Sequence, residues 1–220
     1  AAVSALGALA LAADEPAHAP TPRVLRRYSL APLDPLATCN DDSAAQYYYS
    51  AASSAARARV WIIHQEGGGW CWDAPSCAKR VRESPARTSS ASYAPTHTAP
   101  PGSVLNVPAG ISAPLAGAHV LYLRYCTSDG YVGDAPPSAS SGGLAFRGRR
   151  VVAAAIDALG ARHGLTNATD ATVVYSGCSA GARGVLHNLD RVADHVARIA
   201  GPRARTVGVV DSGLYVDLEP

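Results

Sequence analysis

Methionine is absent from all 220 residues, and the sequence starts at Ala1. An unprocessed product would carry its initiator, so trimming at the front is expected. Charged residues make up only 16% of the chain, with a formal net charge of +2. That balance lacks the dense basic footprint of a nucleic-acid binder, and no nucleic-acid partner is expected. Long apolar runs are missing too. The longest, in AAVSALGALALAADE, holds about 12 residues, against about 20 for a membrane-crossing helix, so no stable membrane span is expected. Nor does a second cluster of Cys or His stand at metal-ligand spacing, so neither a metal nor another cofactor is expected.

What is present suits one folded α/β domain: 48% hydrophobic residues over a length that can bury a large core. Residues 1–12 read as the end of a signal-peptide apolar region, with an Ala-x-Ala site at Ala10 to Ala12. A disordered Ala-rich tail is the alternative. Residues 13–37 are rich in Pro and Ala and are expected to be a poorly ordered lead-in. Cys71 and Cys77 close a short loop with a proline inside, a spacing that suits a local disulfide. Asn167-Ala168-Thr169 is an N-glycosylation sequon in a polar loop. Signal remnant, cysteines and sequon together point to an oxidising, extracellular or cell-wall location.

Ala58 to Gln65, Ala118 to Tyr125, ATVVYS from Ala171, and Arg205 to Gly213 are continuous apolar runs, each predicted to be a buried strand. Phe146 to Gly164 has helical spacing and ends on a glycine suited to a C-cap. Ala180 to Ile199 reads as one or two helices. Residues 74–117 show no strong periodicity and read as an irregular insertion or lid. Strands alternating with helices predict a mostly parallel sheet with helices on both faces.

Chemistry concentrates in YSGCSAGARG, Tyr175 to Gly184. Ser179 stands between Gly177 and Gly181, after a strand and before a helix. G-x-S-x-G in that setting is a nucleophile elbow. A strained turn holds the hydroxyl at the end of the sheet. Small neighbours let strand and helix pass closely, and the N–H of Ala180 is placed to stabilise an oxyanion. The alternative is a glycine-rich turn whose serine caps the helix. EGGGW, Glu66 to Trp70, follows an earlier strand and can supply the other half of an oxyanion hole. Its glycines let backbone N–H groups point inward unobstructed. A glycine-rich bend is the alternative there.

A serine hydrolase also needs an acid and then a histidine after the serine. Asp190, Asp194, His187 and His195 lie within the helix leaving the elbow and are expected not to reach back. Asp211 ends a strand, but neither it nor Asp217 is followed by a histidine. The acid and base are therefore expected outside these residues, in a chain truncated at Pro220.

Separate stretches resemble one family. IIHQEGGGWCWD resembles the LEGGGWCW block of pectin acetylesterases, and LRYCTSDGYVGD their RYCDGASFSGD block. FRGRRVVAAAIDAL resembles FRGxRIWxAVxxDLL, SGCSAGARGVLHN resembles SGCSAGGLAxxLHCD, and VVDSGLYVD resembles ADAGFFLD. Order and spacing agree over about residues 36–220. Residues 38–220 are identified on these blocks as the N-terminal part of a pectin acetylesterase / Notum domain. The resemblance implies an α/β-hydrolase fold and a secreted carboxylesterase without cofactor. It implies Ser179 as nucleophile, Gly68, Gly69 and Ala180 as oxyanion donors, and Trp70 beside the acyl pocket. It also implies a Cys39–Cys126 bond with Cys71–Cys77, leaving Cys178 a buried free thiol. The expected substrate is an acylated polysaccharide or another ester. A Notum-like palmitoleoyl-protein deacylase and a catalytically inactive binding homologue are the alternatives. Ala182 replaces the second glycine of the family's SAGG, and residues 83–117 diverge, which puts the pectin substrate in doubt more than the reaction.

Overall fold

The computed structural model describes residues 21–166 and 170–215. The expected signal remnant at 1–12 and the sequon at Asn167 lie outside them. The elements run β1 (Arg23–Ser29), β2 (Gln46–Ser50), β3 (Val60–Gln65), α1 (Ala74–Glu83), β4 (Thr96–Ala99), β5 (His119–Leu123), α2 (Gly148–His163), β6 (Thr172–Cys178), α3 (Ala180–Ala200) and β7 (Arg205–Asp211). The strands form one sheet in the order β4-β1-β2-β5-β3-β6-β7. β5, β3, β6 and β7 pair in parallel. β4, β1, β2 and β5 pair antiparallel.

The four predicted strands are β3, β5, β6 and β7, and they form the parallel half. β5, β3 and β6 read as near-continuous apolar runs because both faces are covered, whereas β7 is an apolar run that stays largely exposed. Ala180 to Ala200 forms one helix, and α2 ends at Gly164 in the left-handed conformation, φ 85°.

Two expectations are corrected. The lead-in is ordered from residue 21 on, and Arg23–Ser29 is a strand between β2 and β4. Leu25 alone is buried in RVLRRYS, so the run shows too little alternation to be read as a strand. Its order comes from the distant strands on either side. The stretch 74–117 contains α1 and β4. α1 carries a capping box, in which Asp73 accepts the Ser76 N–H and the Ser76 side chain accepts the Asp73 N–H. β4 is a four-residue edge strand too short to show a period.

Side chains alternate cleanly across the sheet. Tyr47, Tyr49, Trp61, Ile63, Leu121, Leu123, Val173 and Tyr175 point to one face, where they meet Val151, Ile156 and Leu159 of α2 and Val185, Val192 and Val196 of α3. Tyr48, Ile62, Val120 and Tyr122 point to the other, under Val104, Leu105 and Leu115 of the irregular segment 100–118. Among the described residues, α2 and α3 thus share one face. β7 closes the parallel side, and its Val207 and Val209 are each 46% exposed.

Candidate functional site

The parallel half of the sheet brings two loops together. One follows β3 and is EGGGW; the other is the β6-to-α3 turn. Ser179 occupies that turn with φ 54° and ψ −116°, a left-handed conformation that costs a non-glycine residue about 1–3 kcal/mol. Neighbouring bonds hold it there. Its N–H donates to the Asp211 carbonyl at the end of β7 (2.9 Å), and its carbonyl accepts from Arg183 N–H (3.0 Å), the first helical bond of α3. Ala180 and Gly181 are the first residues of α3, where N–H groups have no partner four residues back. The glycines are demanded by close approach. A side-chain carbon on Gly177 would collide with the backbone of Gly181, and one on Gly181 with the Gln65 carbonyl.

EGGGW lies against this turn. A Cβ built on Gly67 would sit 3.2 Å from Ser179 Cβ and would strike the Cys178 carbonyl. Gly68 and Gly69 have φ of 139° and 69°, the region that favours glycine. The loop is anchored at Glu66. Its carboxylate pairs with Arg124 Nε at 3.0 Å and accepts the Tyr125 N–H at 3.0 Å. Its carbonyl accepts from the Tyr131 hydroxyl at 3.0 Å. Trp70 reaches toward α3: the Arg183 guanidinium lies 4.8 Å over its ring, and Tyr215 meets it edge-on at 5.5 Å. Trp70, Trp72, Ser76, Lys79, Arg80, Glu83 and Ser84 line a shallow depression of about 220 Å³. Trp72 is 74% exposed there.

Both disulfide pairings are present, Cys39–Cys126 and Cys71–Cys77. Cys178 is the free thiol, but it is half-buried rather than buried. Partial burial, reinforced by the neighbouring Asp211 carboxylate, pushes its pKa up and keeps it protonated. The histidines after Ser179 stay out of the site, as expected. His187 is exposed, and His195 Nε2 bonds Asp157 Oδ1 of α2 at 2.7 Å. His64 also serves elsewhere: its Nδ1 bonds Ser176 Oγ at 3.0 Å, and burial depresses its pKa to about 4.

A larger depression, about 540 Å³, lies between α2 and α3 and is lined by charged groups including Asp34, Asp134, Arg149, Arg150 and Arg191. It holds neither the strained serine nor the glycine loop. The smaller depression borders the glycine loop through Trp70 and Arg80.

Sequence reasoning missed two arginines at the loop. Arg80 Nη1 donates to the Gly68 carbonyl at 2.8 Å, and Arg87 Nη1 donates to the Gly67 carbonyl. Both lie in the stretch read as an irregular insertion, and only the capping pattern before Arg80 hinted at a helix.

Comparison with known proteins agrees with this geometry. The profile of the pectinacetylesterase family matches residues 31–220. Palmitoleoyl-protein carboxylesterase notum1 of Xenopus laevis is 31% identical over 82% of this chain and 35% of its own length. Pectin acetylesterase 11 of Arabidopsis thaliana is 31% identical over 71% of this chain and 37% of its own. A crystal structure of the Wnt deacylase Notum from Drosophila superposes with a TM-score of 0.79 at 29% identity, covering 90% of this chain and 55% of that one. The chain thus spans about a third of the length of these curated relatives. A strained serine beside a triple-glycine loop, in an α/β-hydrolase fold and under a matching profile, identifies this chain as a member of the pectinacetylesterase family.

Proposed function

We propose that the chain carries the nucleophile and oxyanion hole of a secreted serine carboxylesterase that removes O-acetyl groups from a polysaccharide. The observation that carries this reading is Ser179, held in a left-handed turn with Gly67 beside its Cβ. In this reading the Ser179 hydroxyl attacks the ester carbonyl and gives its proton to a histidine base. The N–H groups of Gly68, Gly69 and Ala180 hold the resulting oxyanion, each contributing roughly 3 kcal/mol. The intermediate collapses, and the alcohol leaves with that proton. Water then splits the acyl-enzyme, releasing a carboxylic acid and restoring the serine. The histidine and its orienting acid come from outside these 220 residues. Trp70 borders the acyl group. Two disulfides support an extracellular site of action. Asn167 is a proposed glycan acceptor, residues 1–12 a proposed signal remnant, and residues 38–220 the proposed N-terminal part of the catalytic domain.

The test is hydrolysis of 4-nitrophenyl acetate and release of acetate from acetylated pectin by the full-length protein and by Ser179→Ala. The variant is expected to lose at least a thousandfold in kcat. Equal activity in the variant overturns Ser179 as the nucleophile, and no activity in either protein leaves a binding homologue. A deacylase of longer chains is favoured by the exposed aromatics near Trp70, namely Trp72 in the same depression and Tyr215 edge-on to the Trp70 ring. An acyl-length series separates the two, since an acetylesterase loses rate as the chain grows and a lipid deacylase gains it.

A further inference from the structure

We propose that Arg80 and Arg87 are positioning residues, each locking one peptide plane of the oxyanion loop so that its N–H faces away from the arginine. The inference rests on the oxyanion reading of Gly68 and Gly69.

The argument starts from the planar peptide unit. In a trans peptide the C=O of one residue and the N–H of the next lie in one plane and point in opposite directions. All peptides among the described residues are trans. The Gly67 carbonyl and the Gly68 N–H therefore share a plane, as do the Gly68 carbonyl and the Gly69 N–H. Arg87 grips the first carbonyl and Arg80 the second. Fixing each carbonyl on the arginine side fixes each N–H on the opposite side.

Such a lock is needed where the loop is all glycine. Each glycine visits several backbone regions at little cost, so an unrestrained peptide can flip and turn its donor into an acceptor. Oxyanion stabilisation depends on donors that are already aimed before charge develops. Arginine also suits the task chemically. A cation bound to a carbonyl polarises the amide and strengthens its N–H as a donor.

The arginines are themselves held. α1 is tied to the loop by the Cys71–Cys77 bond, and Arg80 follows Cys77 by one turn. Arg80 Nε donates to Ser128 Oγ at 2.7 Å, and its guanidinium lies 5.4 Å over the Tyr125 ring. Its Nη2 is buried without a partner, and burial lowers its pKa. A half-buried, incompletely paired cation costs stability, and its place behind the loop gives it a use. Arg87 ends the turn Pro85–Arg87 and crowds Gly68 so closely that a side-chain carbon there would collide with it.

The experiment uses the full-length protein and 4-nitrophenyl acetate. Wild type is compared with Ser179→Ala, Arg80→Gln, Arg87→Gln, Arg80→Lys and Arg87→Lys, with Arg82→Gln on the exposed side of α1 as control. Each glutamine variant is expected to lose on the order of 10²-fold in kcat with KM within threefold. Affinity for phenylboronic acid, which forms a tetrahedral adduct on the serine, should fall in parallel. The lysine variants, keeping charge and one donor, should recover part of both, and Arg82→Gln should match wild type. A merely structural arginine would shift thermal stability without moving boronate affinity. Should a glutamine variant not fold, its lysine partner carries the test through the same kcat and boronate readouts. Folded variants with kcat within threefold and unchanged boronate affinity overturn the proposal. Activity that survives Ser179→Ala overturns instead the Ser179-nucleophile reading beneath it.

Discussion

At Ser179 the backbone, more than the side chain, distinguishes the residue. Glycine close contacts force the turn, and a bond to the Asp211 carbonyl holds it. The same crowding governs Gly184, one turn into α3. A methyl group there would lie 2.9 Å from Tyr131 Cβ and press on the Gln65 side chain. Gly184→Ala is expected to destabilise by about 1–3 kcal/mol, the usual cost of overpacking, seen as a lower urea midpoint. An unchanged midpoint would show that Tyr131 can give way. Ser179 was legible in the sequence because G-x-S-x-G spells out its own geometry: small, reactive and small, between an apolar run and a helix. Gly68 and Gly69 were legible only as members of a glycine run. Arg80 and Arg87 were not legible, because an arginine side chain spans several residues' worth of space and its partner is fixed only by the fold.

At the scale of elements, α1 holds the site together. Its capping box and its disulfide both act at its first turn, beside the glycine loop. Asp73→Ala is expected to lower the thermal unfolding midpoint through lost capping. The two disulfides differ in reach. Cys71–Cys77 closes 6 residues of separation and Cys39–Cys126 closes 87. Loop-closure entropy gives roughly 2 kcal/mol for the short loop and roughly 4–5 kcal/mol for the long one. Paired Cys→Ser replacements should follow that order in stability and the reverse order in kcat, because the short bond ties the first turn of α1, the helix that carries Arg80, to the glycine loop. Equal losses in both quantities would contradict the assignment. The four strands of the parallel half were legible because each is a continuous apolar run, covered on both faces in β3, β5 and β6 and largely exposed in β7. β1, β2 and β4 were not. RVLRRYS buries Leu25 alone, QYYYS reads as a short aromatic patch, and THTA is a brief edge. Their pairing is long-range, so no local period announces it.

For the whole molecule, buried neutral histidines set the pH dependence of stability. His64 and His163 are both depressed to about 4, chiefly by burial. In the unfolded chain a histidine titrates near 6.5. Between those values the unfolded state binds more protons, so folding is favoured by higher pH. The contribution is complete above about 6.5, shrinks as pH falls, and levels off below about 4. Asp129, whose pKa is raised by burial, works in the opposite sense. The urea midpoint is expected to fall between pH 7 and pH 4.5, and His163→Gln should flatten that fall. An equal slope in the variant would remove His163 from the account. None of this was legible in the sequence, where the histidines are scattered and only the folded core shows which are dry.

β7 carries a different kind of consequence. Among the described residues it pairs with β6 alone, and its outward Val207 and Val209 are half exposed. A β-branched strand with an unused row of amides and carbonyls is a template for another strand. Produced as these 220 residues by themselves, the chain should therefore be sticky, with light scattering that climbs with concentration and recedes when Val207 and Val209 become lysine.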